Sequence, residues 1–216
     1  MKNLISKYLR KFKYLIKNYD KKFYIFNCLN HNSIFLDIGG NLGRISQYVI
    51  DVYNPKIVEI YEPHNALYLN LKYKFKDYTN VNLFNEAVSD KDSKRYLYLK
   101  TMDKNNLNLL EGSSLERKKK NINKNFFQET RTLNIKKILD RYDFIDCIKI
   151  DIEGHEYKIL DTLINNKNKI GKLICEFHGS DIDIKKNKNM EFRQFYQKYR
   201  DTIKELEKEN WLVSWD

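Results

Sequence analysis

Apolar residues recur along this chain in two alternating rhythms. From residue 33 onward, short unbroken apolar runs suited to strands covered on both faces alternate with longer stretches whose apolar positions return at helical spacing. "SIFLDIGG" predicts a strand running into a glycine turn, "RISQYVIDVY" a helix, "KIVEIYEP" a strand, "NALYLNLKYKF" a helix and "NVNLFNEAV" a third strand. "KRYLYLK" alternates as a hairpin or edge strand does, and residues 101–130, polar and rich in lysine, predict a long surface loop or lid. Helix, strand and helix follow in "LNIKKILDRY", "CIKIDIEG" and "YKILDTLINN". "KLICEFHG" then predicts a strand, "MEFRQFYQKYRDTIKELEKEN" a helix and "WLVSWD" a last strand. The alternation predicts an α/β fold with a mainly parallel central sheet and helices on both faces. No internal repeat is visible.

Residues 2–22 differ. Leu4, Ile5, Tyr8, Leu9, Phe12, Leu15, Ile16 and Tyr19 fall on one helical stripe, with Lys7, Arg10, Lys11, Lys13 and Lys17 between them. This basic amphipathic helix is expected to pack on its own domain, with contact to an anionic membrane surface as the alternative. The chain therefore divides into a helical extension over 1–30 and one domain over 31–216.

Composition narrows the picture. A length of 216 residues suffices for one domain with its own core. No stretch approaches the ~20 apolar residues that cross a bilayer, and no apolar run leads to a small-residue cleavage site. Cys28, Cys147 and Cys175 lack paired spacing, which fits buried thiols in a reducing cytoplasm better than disulfides or zinc. A net charge of +11 invites a nucleic-acid or membrane reading. Lysine, asparagine, isoleucine, tyrosine and phenylalanine are abundant together, however, as AT-rich codons produce, and compositional drift is the preferred account.

In open α/β sheets ligands sit beyond the carboxyl ends of the strands. The first strand ends in Asp37, Gly39, Gly40, Asn41 and Gly43, where missing side chains let a ligand approach backbone and helix N-terminus. No P-loop lysine follows, so nucleoside triphosphate chemistry is disfavoured. Glu62 ends the second strand about twenty residues on, the spacing at which an acid accepts from a ribose diol. Together they indicate an adenosine-containing cofactor. Asp151 and Glu153, two apart, point to one side if their strand persists, and Glu176 with His178 repeats that geometry on the next. A carboxylate or imidazole there suits proton removal. His155 is a further base candidate or a helix cap. The same groups suit a divalent cation, although no short ligand motif fixes one. Lys149 shares the parity of Asp151 and offers the structural alternative, a buried ion pair.

Taken in order, "FLDIGGNLG", "EIYEPH", "NEAVSD", "SSL", "IKIDIEGHEYKIL" and "ICEFH" resemble the FkbM-type family of S-adenosylmethionine-dependent methyltransferases, over about residues 33 to 180. "KIDIEGHE" is the most specific part. The resemblance implies a Rossmann-like class I methyltransferase fold, S-adenosyl-L-methionine as cofactor, and methyl transfer to a hydroxyl of a sugar, glycan or small metabolite. It implies that Asp37, Gly39, Asn41 and Gly43 form the methionine-binding turn, that Glu62 binds ribose, and that Glu86 and Ala87 line adenine. The family's sheet usually closes with an antiparallel strand after the one read in "WLVSWD", so either that strand is missing here or the last helix and strand are assigned differently. Methyl transfer needs a group to take the hydroxyl proton, and Asp151, Glu153, His155, Glu176 and His178 are the candidates. Two alternatives stay open. A nucleic-acid methyltransferase fits the charge but lacks an Asn-Pro-Pro-aromatic motif; a non-catalytic scaffold of the same fold would have lost the turn or the acids, and this chain retains both.

Overall fold

The short apolar runs become parallel strands covered on both faces. The computed structural model describes residues 26–101, 107–117, 119, 122–178 and 211–215; the helices predicted over 2–22 and 190–210 lie outside them. The described strands are β1 (Ile34–Ile38), β2 (Ile57–Tyr61), β3 (Val81–Phe84), β4 (Glu86–Ser89), β5 (Ser93–Tyr98), β6 (Phe127–Asn134), β7 (Ile145–Ile150), β8 (Ile170–Phe177) and β9 (Leu212–Trp215). Six of them form one sheet in the order β3-β2-β1-β7-β8-β9, every pair parallel. The sheet ends at β9, and among the described residues it has no antiparallel closing strand.

Among the described residues four α-helices cover it: α1 (Arg44–Tyr53), α2 (Asn65–Lys74), α3 (Ile135–Leu139) and α4 (Glu156–Asn165). Alternation along each strand feeds two cores. Phe35, Val58, Ile60 and Cys147 face α1 and α2, packing with Val49, Ile50, Leu71 and Phe75. Leu36, Ile38, Ile148 and Ile150 face α3 and α4, packing with Ile138, Leu139, Ile159 and Leu160. Each such side chain contributes about 1.5–3 kcal/mol by leaving water. Phe26 and Leu29, from the end of the segment read as an extension, are buried in the first core.

"NVNLFNEAV" is not one strand. It breaks at Asn85, whose Nδ2 donates to the carbonyls of Glu62 (3.0 Å) and Pro63 (3.2 Å), and the chain leaves the main sheet. β4 joins a second sheet of order β4-β6-β5, so the stretch read as loop over 101–130 gives its last residues to β6. The helix expected from "LNIKKILDRY" shortens for the same reason: Leu133 and Asn134 belong to β6, and Asn134 caps α3 by accepting from the Lys136 N–H at 2.9 Å. After this excursion β7 returns to the opposite side of β1. The gap between the ends of β1 and β7 is thus the topological switch point, where a ligand crevice is expected.

Candidate active site

The ends of β1 and β7 are pinned together by the Asp151 N–H donating to the Ile38 carbonyl at 3.0 Å. Gly39 makes the turn at φ +87°, and a Cβ there would stand 1.9 Å from the Asp151 carbonyl oxygen, so only glycine fits. Gly40 and Gly43 serve packing, since a Cβ would meet Ile60 at 2.2 Å or Leu71 at 2.6 Å. Asp37 braces the turn from beneath. Fully buried, it accepts from the Ser46 hydroxyl at 2.6 Å, while its other oxygen lies 3.2 Å from Lys149 Nζ. Lys149 also donates to the Gly39 carbonyl at 2.8 Å and lies 3.7 Å from Asp151, so the expected Lys149–Asp151 pair exists but is the looser of two. Burial opposes the charge of Lys149; the carboxylates of Asp37 and Asp151 outweigh it and raise its pKa.

Glu62 is buried at the end of β2 and accepts from the N–H groups of Asn41 and His64, both at 2.8 Å. Burial pushes its carboxyl up to about 7 in spite of those bonds. Asn41 adopts φ +51°, and its Oδ1 is buried without a hydrogen-bond partner among the described residues. Both side chains line a cleft of about 620 Å³, part of it open solvent, together with Gly39, Glu86, Ala87, Leu97, Leu110, Asp151, Glu153 and His155. Glu86 and Ala87 reach it from the start of β4, not from the end of a third strand.

On the other side of the cleft, parity along a strand does not align Asp151 with Glu153, because β7 stops at Ile150. A turn with Glu153 at φ +58° and Gly154 at φ +102° brings them together instead. His178, buried at the end of β8, places Nε2 3.5 Å from Glu153 Oε2 and 3.8 Å from Asp151 Oδ1. Its Nδ1 donates to Glu156 Oε1 at 3.2 Å. Burial opposes its charge, but the Glu156 bond and the three carboxylates raise it to about 10, so the ring is an imidazolium at neutral pH. Glu156, buried in the first turn of α4, also accepts from the N–H groups of Ile152 at 3.0 Å and Gly154 at 3.0 Å. The helix start favours its negative charge. Glu176 adds its charge beside Lys149.

His155 occupies the N-cap position of α4 without a side-chain cap bond. Its Nδ1 lies 2.7 Å from Glu116 Oε1 and its Nε2 2.9 Å from Ser89 Oγ, with Arg95 Nη1 at 3.5 Å. Both ring nitrogens are engaged, and the residue ties α4 to β4 and to the segment after β5. That segment is the part that pattern reading missed. Ser114 donates to the Glu153 carbonyl at 2.6 Å and pairs backbone to backbone with Tyr98 at 2.8 and 3.0 Å. Lys119, only 2% exposed, forms an ion pair with Glu153 and donates to the Gly112 carbonyl at 3.0 Å. Glu116 is partly buried, which raises its pKa, yet the His155 bond holds it below the usual carboxylate value. The "SSL" segment carried a signal for Ser114; nothing sets Lys119 apart from the basic residues around it.

A parallel sheet with its crevice at the switch point, a glycine turn after β1 and a buried acid after β2 define a Rossmann-like class I methyltransferase architecture. The Methyltransferase FkbM domain matches residues 37–208, and the chain belongs to that family. The crystal structure of methyltransferase FkbM from Methylobacillus flagellatus KT is similar over 63% of this chain and 30% of that one, at 14% identity and a TM-score of 0.42. The chain thus spans under a third of that protein's length. No curated protein matches it.

Proposed function

We propose that the chain is an S-adenosylmethionine-dependent O-methyltransferase acting on a hydroxyl of a sugar, glycan or small metabolite. One observation carries this reading: Asn41 and Glu62 line the same cleft as Asp151 and Glu153, so groups suited to hold a donor and to take a proton share one space. The residues fit the cofactor. The unpartnered Asn41 Oδ1 is an acceptor suited to an amino group. The Glu62 carboxylate, buried with two N–H donors, has lone pairs left for a ribose diol. Glu86 and Ala87 are suited to border adenine. When bound, S-adenosylmethionine supplies a methyl group on a sulfonium, an electrophile that needs no further activation.

The task left to the chain is to align the acceptor oxygen, exclude water and accept the hydroxyl proton. Asp151 is the better placed carboxylate. Glu153 is engaged by Lys119 and by His178, whereas among the described residues the nearest cations to Asp151 stand at 3.7 and 3.8 Å, beyond hydrogen-bond range. His178 is already protonated, and its charge, held by Glu156, steadies the two acids. The proton leaves the acceptor oxygen for Asp151 and then passes to water.

Asp151→Asn is expected to lower single-turnover rate about 10²–10⁴-fold while leaving cofactor affinity within a few-fold and the melting temperature nearly unchanged. Wild-type turnover by this variant would sink the assignment. Labelled methyl donor offered to glycan, lipid-linked sugar and RNA fractions identifies the acceptor; label in RNA alone would favour a nucleic-acid methyltransferase. A cytoplasmic setting belongs to this reading, on the ground that Cys28, Cys147 and Cys175 lack the paired spacing of a disulfide framework.

A second reading rests on the ligand atoms of Asp151, Glu153 and His178 lying within 4.8 Å of one another. Two carboxylates and an imidazole suit a divalent cation. It would have to displace the imidazolium proton and compete with Lys119. Activity that survives chelation and does not respond to added Mg²⁺ or Mn²⁺ would reject it.

A further inference from the structure

Cys28 and Cys147 lie far apart in sequence, yet the fold brings both side chains into the same core cluster, where each thiol acts on the other. Cys147 sits in β7 opposite Phe35 of β1, fully buried in the core beneath α1 and α2. Cys28 reaches the same core from the turn preceding β1 and is only partly buried. Lys172, the register partner of Cys147 on β8, stands beside both, with its Nζ 3.4 Å from Asn27 Oδ1. Cys175 lies in the core on the opposite face of the sheet, so it does not belong to the pair.

The two thiols are unequal. The neighbouring Cys147 thiol lowers the pKa of Cys28 against the cost of burial, and the Lys172 charge lowers it further. Burial pushes the Cys147 thiol well above its ordinary value. One accessible, more acidic thiol beside one buried, less acidic thiol is the asymmetry of an attacking and a resolving cysteine.

We propose that Cys28 and Cys147 form a dithiol modification site that reacts with small disulfides of the glutathione type and closes reversibly into an internal disulfide. The Cys28 thiolate attacks one sulfur of the small disulfide, forming a mixed disulfide and releasing one thiolate. That thiolate takes the Cys147 proton; the Cys147 sulfur then attacks Cys28 and expels the second small thiolate, which is protonated from water. Two protein thiols are oxidised by two electrons, and one small disulfide is reduced to two thiols. The bond ties the turn before β1 to the strand that leads to Asp151 and Glu153. The methyl-transfer reading uses neither cysteine, so this inference stands or falls independently of it.

The test is incubation of the folded full chain in glutathione buffers of rising oxidised fraction, followed by intact mass, unreduced peptide mapping and melting. The expected result is a Cys28–Cys147 linked peptide, a loss of two hydrogens, and a raised melting temperature, because the unfolded chain is cross-linked over a long loop. Dithiothreitol should reverse all three. Cys147→Ala should stop at a glutathione adduct on Cys28, Cys28→Ser should form neither product, and Cys175→Ala should behave as wild type. Alkylation of the wild type should proceed at Cys28 about tenfold or more faster than at Cys147, a comparison that needs no variant to fold. A bridge that includes Cys175, a Cys28 adduct that never resolves in the wild type, linkage only after denaturation, or equal alkylation rates would each overturn the proposal.

Discussion

The two sides of the cleft are built in opposite ways. The side after β1 is made of backbone and close approach: a contiguous run from Asp37 to Gly43, with one distant acid, Glu62, closing onto the Asn41 N–H. The side after β7 and β8 is made of charge, assembled from separate segments: Asp151, Glu153 and Glu156 balanced by His178, Lys119 and Lys149. The first side is specified by steric exclusion and tolerates no added atom. The second is specified by mutual compensation, because each buried charge is costly unless its partners arrive with it.

The largest effect expected from breaking this contrast comes from paired glycines. Gly39 and Gly112 share nearly the same φ, +87° and +88°, but a Cβ would meet Asp151 O at 1.9 Å in the first and nothing nearer than 3.6 Å in the second. Gly39→Ala is expected to cost about 4 kcal/mol or more and to abolish cofactor binding. Gly112→Ala should cost only about 1–2 kcal/mol of left-handed strain. Urea midpoints measure both, and equal losses would mean that close approach is not what specifies the β1 side.

Next in size is Glu156→Gln, which leaves the His178 imidazolium without its nearest counter-charge and should cost about 2–3 kcal/mol at neutral pH. Its pH signature sharpens the contrast. Because His178 is raised to about 10 in the fold, its contribution is fully present below the unfolded value near 6.5 and is lost as pH rises through about 10. Wild-type melting temperature should therefore fall over that window more steeply than that of the variant. Parallel curves would remove the compensation argument.

The smallest expected effect tests Glu62. With its carboxyl raised to about 7, the free protein gains a full carboxylate only above neutrality. A diol donates better to the ionised form, so calorimetric affinity for S-adenosylmethionine should rise about tenfold between pH 6 and 8, equivalent to about 1.4 kcal/mol. Stability moves the other way: the raised acid contributes below its ordinary pKa and loses that contribution as pH rises through about 7. Glu62→Gln should flatten both curves. A Glu62→Gln affinity that keeps the full pH slope would assign the titration elsewhere.

Local pattern was enough for the parallel strands, for α1 and α2, for the Gly39 turn and for Glu62, because apolar periodicity and the need for a missing Cβ are properties of neighbouring residues. Pattern misjudged the path after Phe84. A run of apolar residues does not say that Asn85 will turn back to the carbonyls of Glu62 and Pro63 and send β4 into another sheet. It also placed Asp151 and Glu153 together for a reason that does not hold, since their convergence comes from a turn at Glu153 and Gly154 and not from strand parity.

By itself, then, the sequence determined the layered α/β plan, the crevice at the strand ends and the acids bordering it. Only the tertiary structure decided which charges compensate which. That Lys119 pairs with Glu153, that His178 is held by Glu156, that His155 is engaged at both nitrogens, and that Cys28 meets Cys147 are long-range facts. Partners of a buried charge are chosen by whichever segments the packed core brings within a few ångströms, and no spacing along the chain encodes that distance.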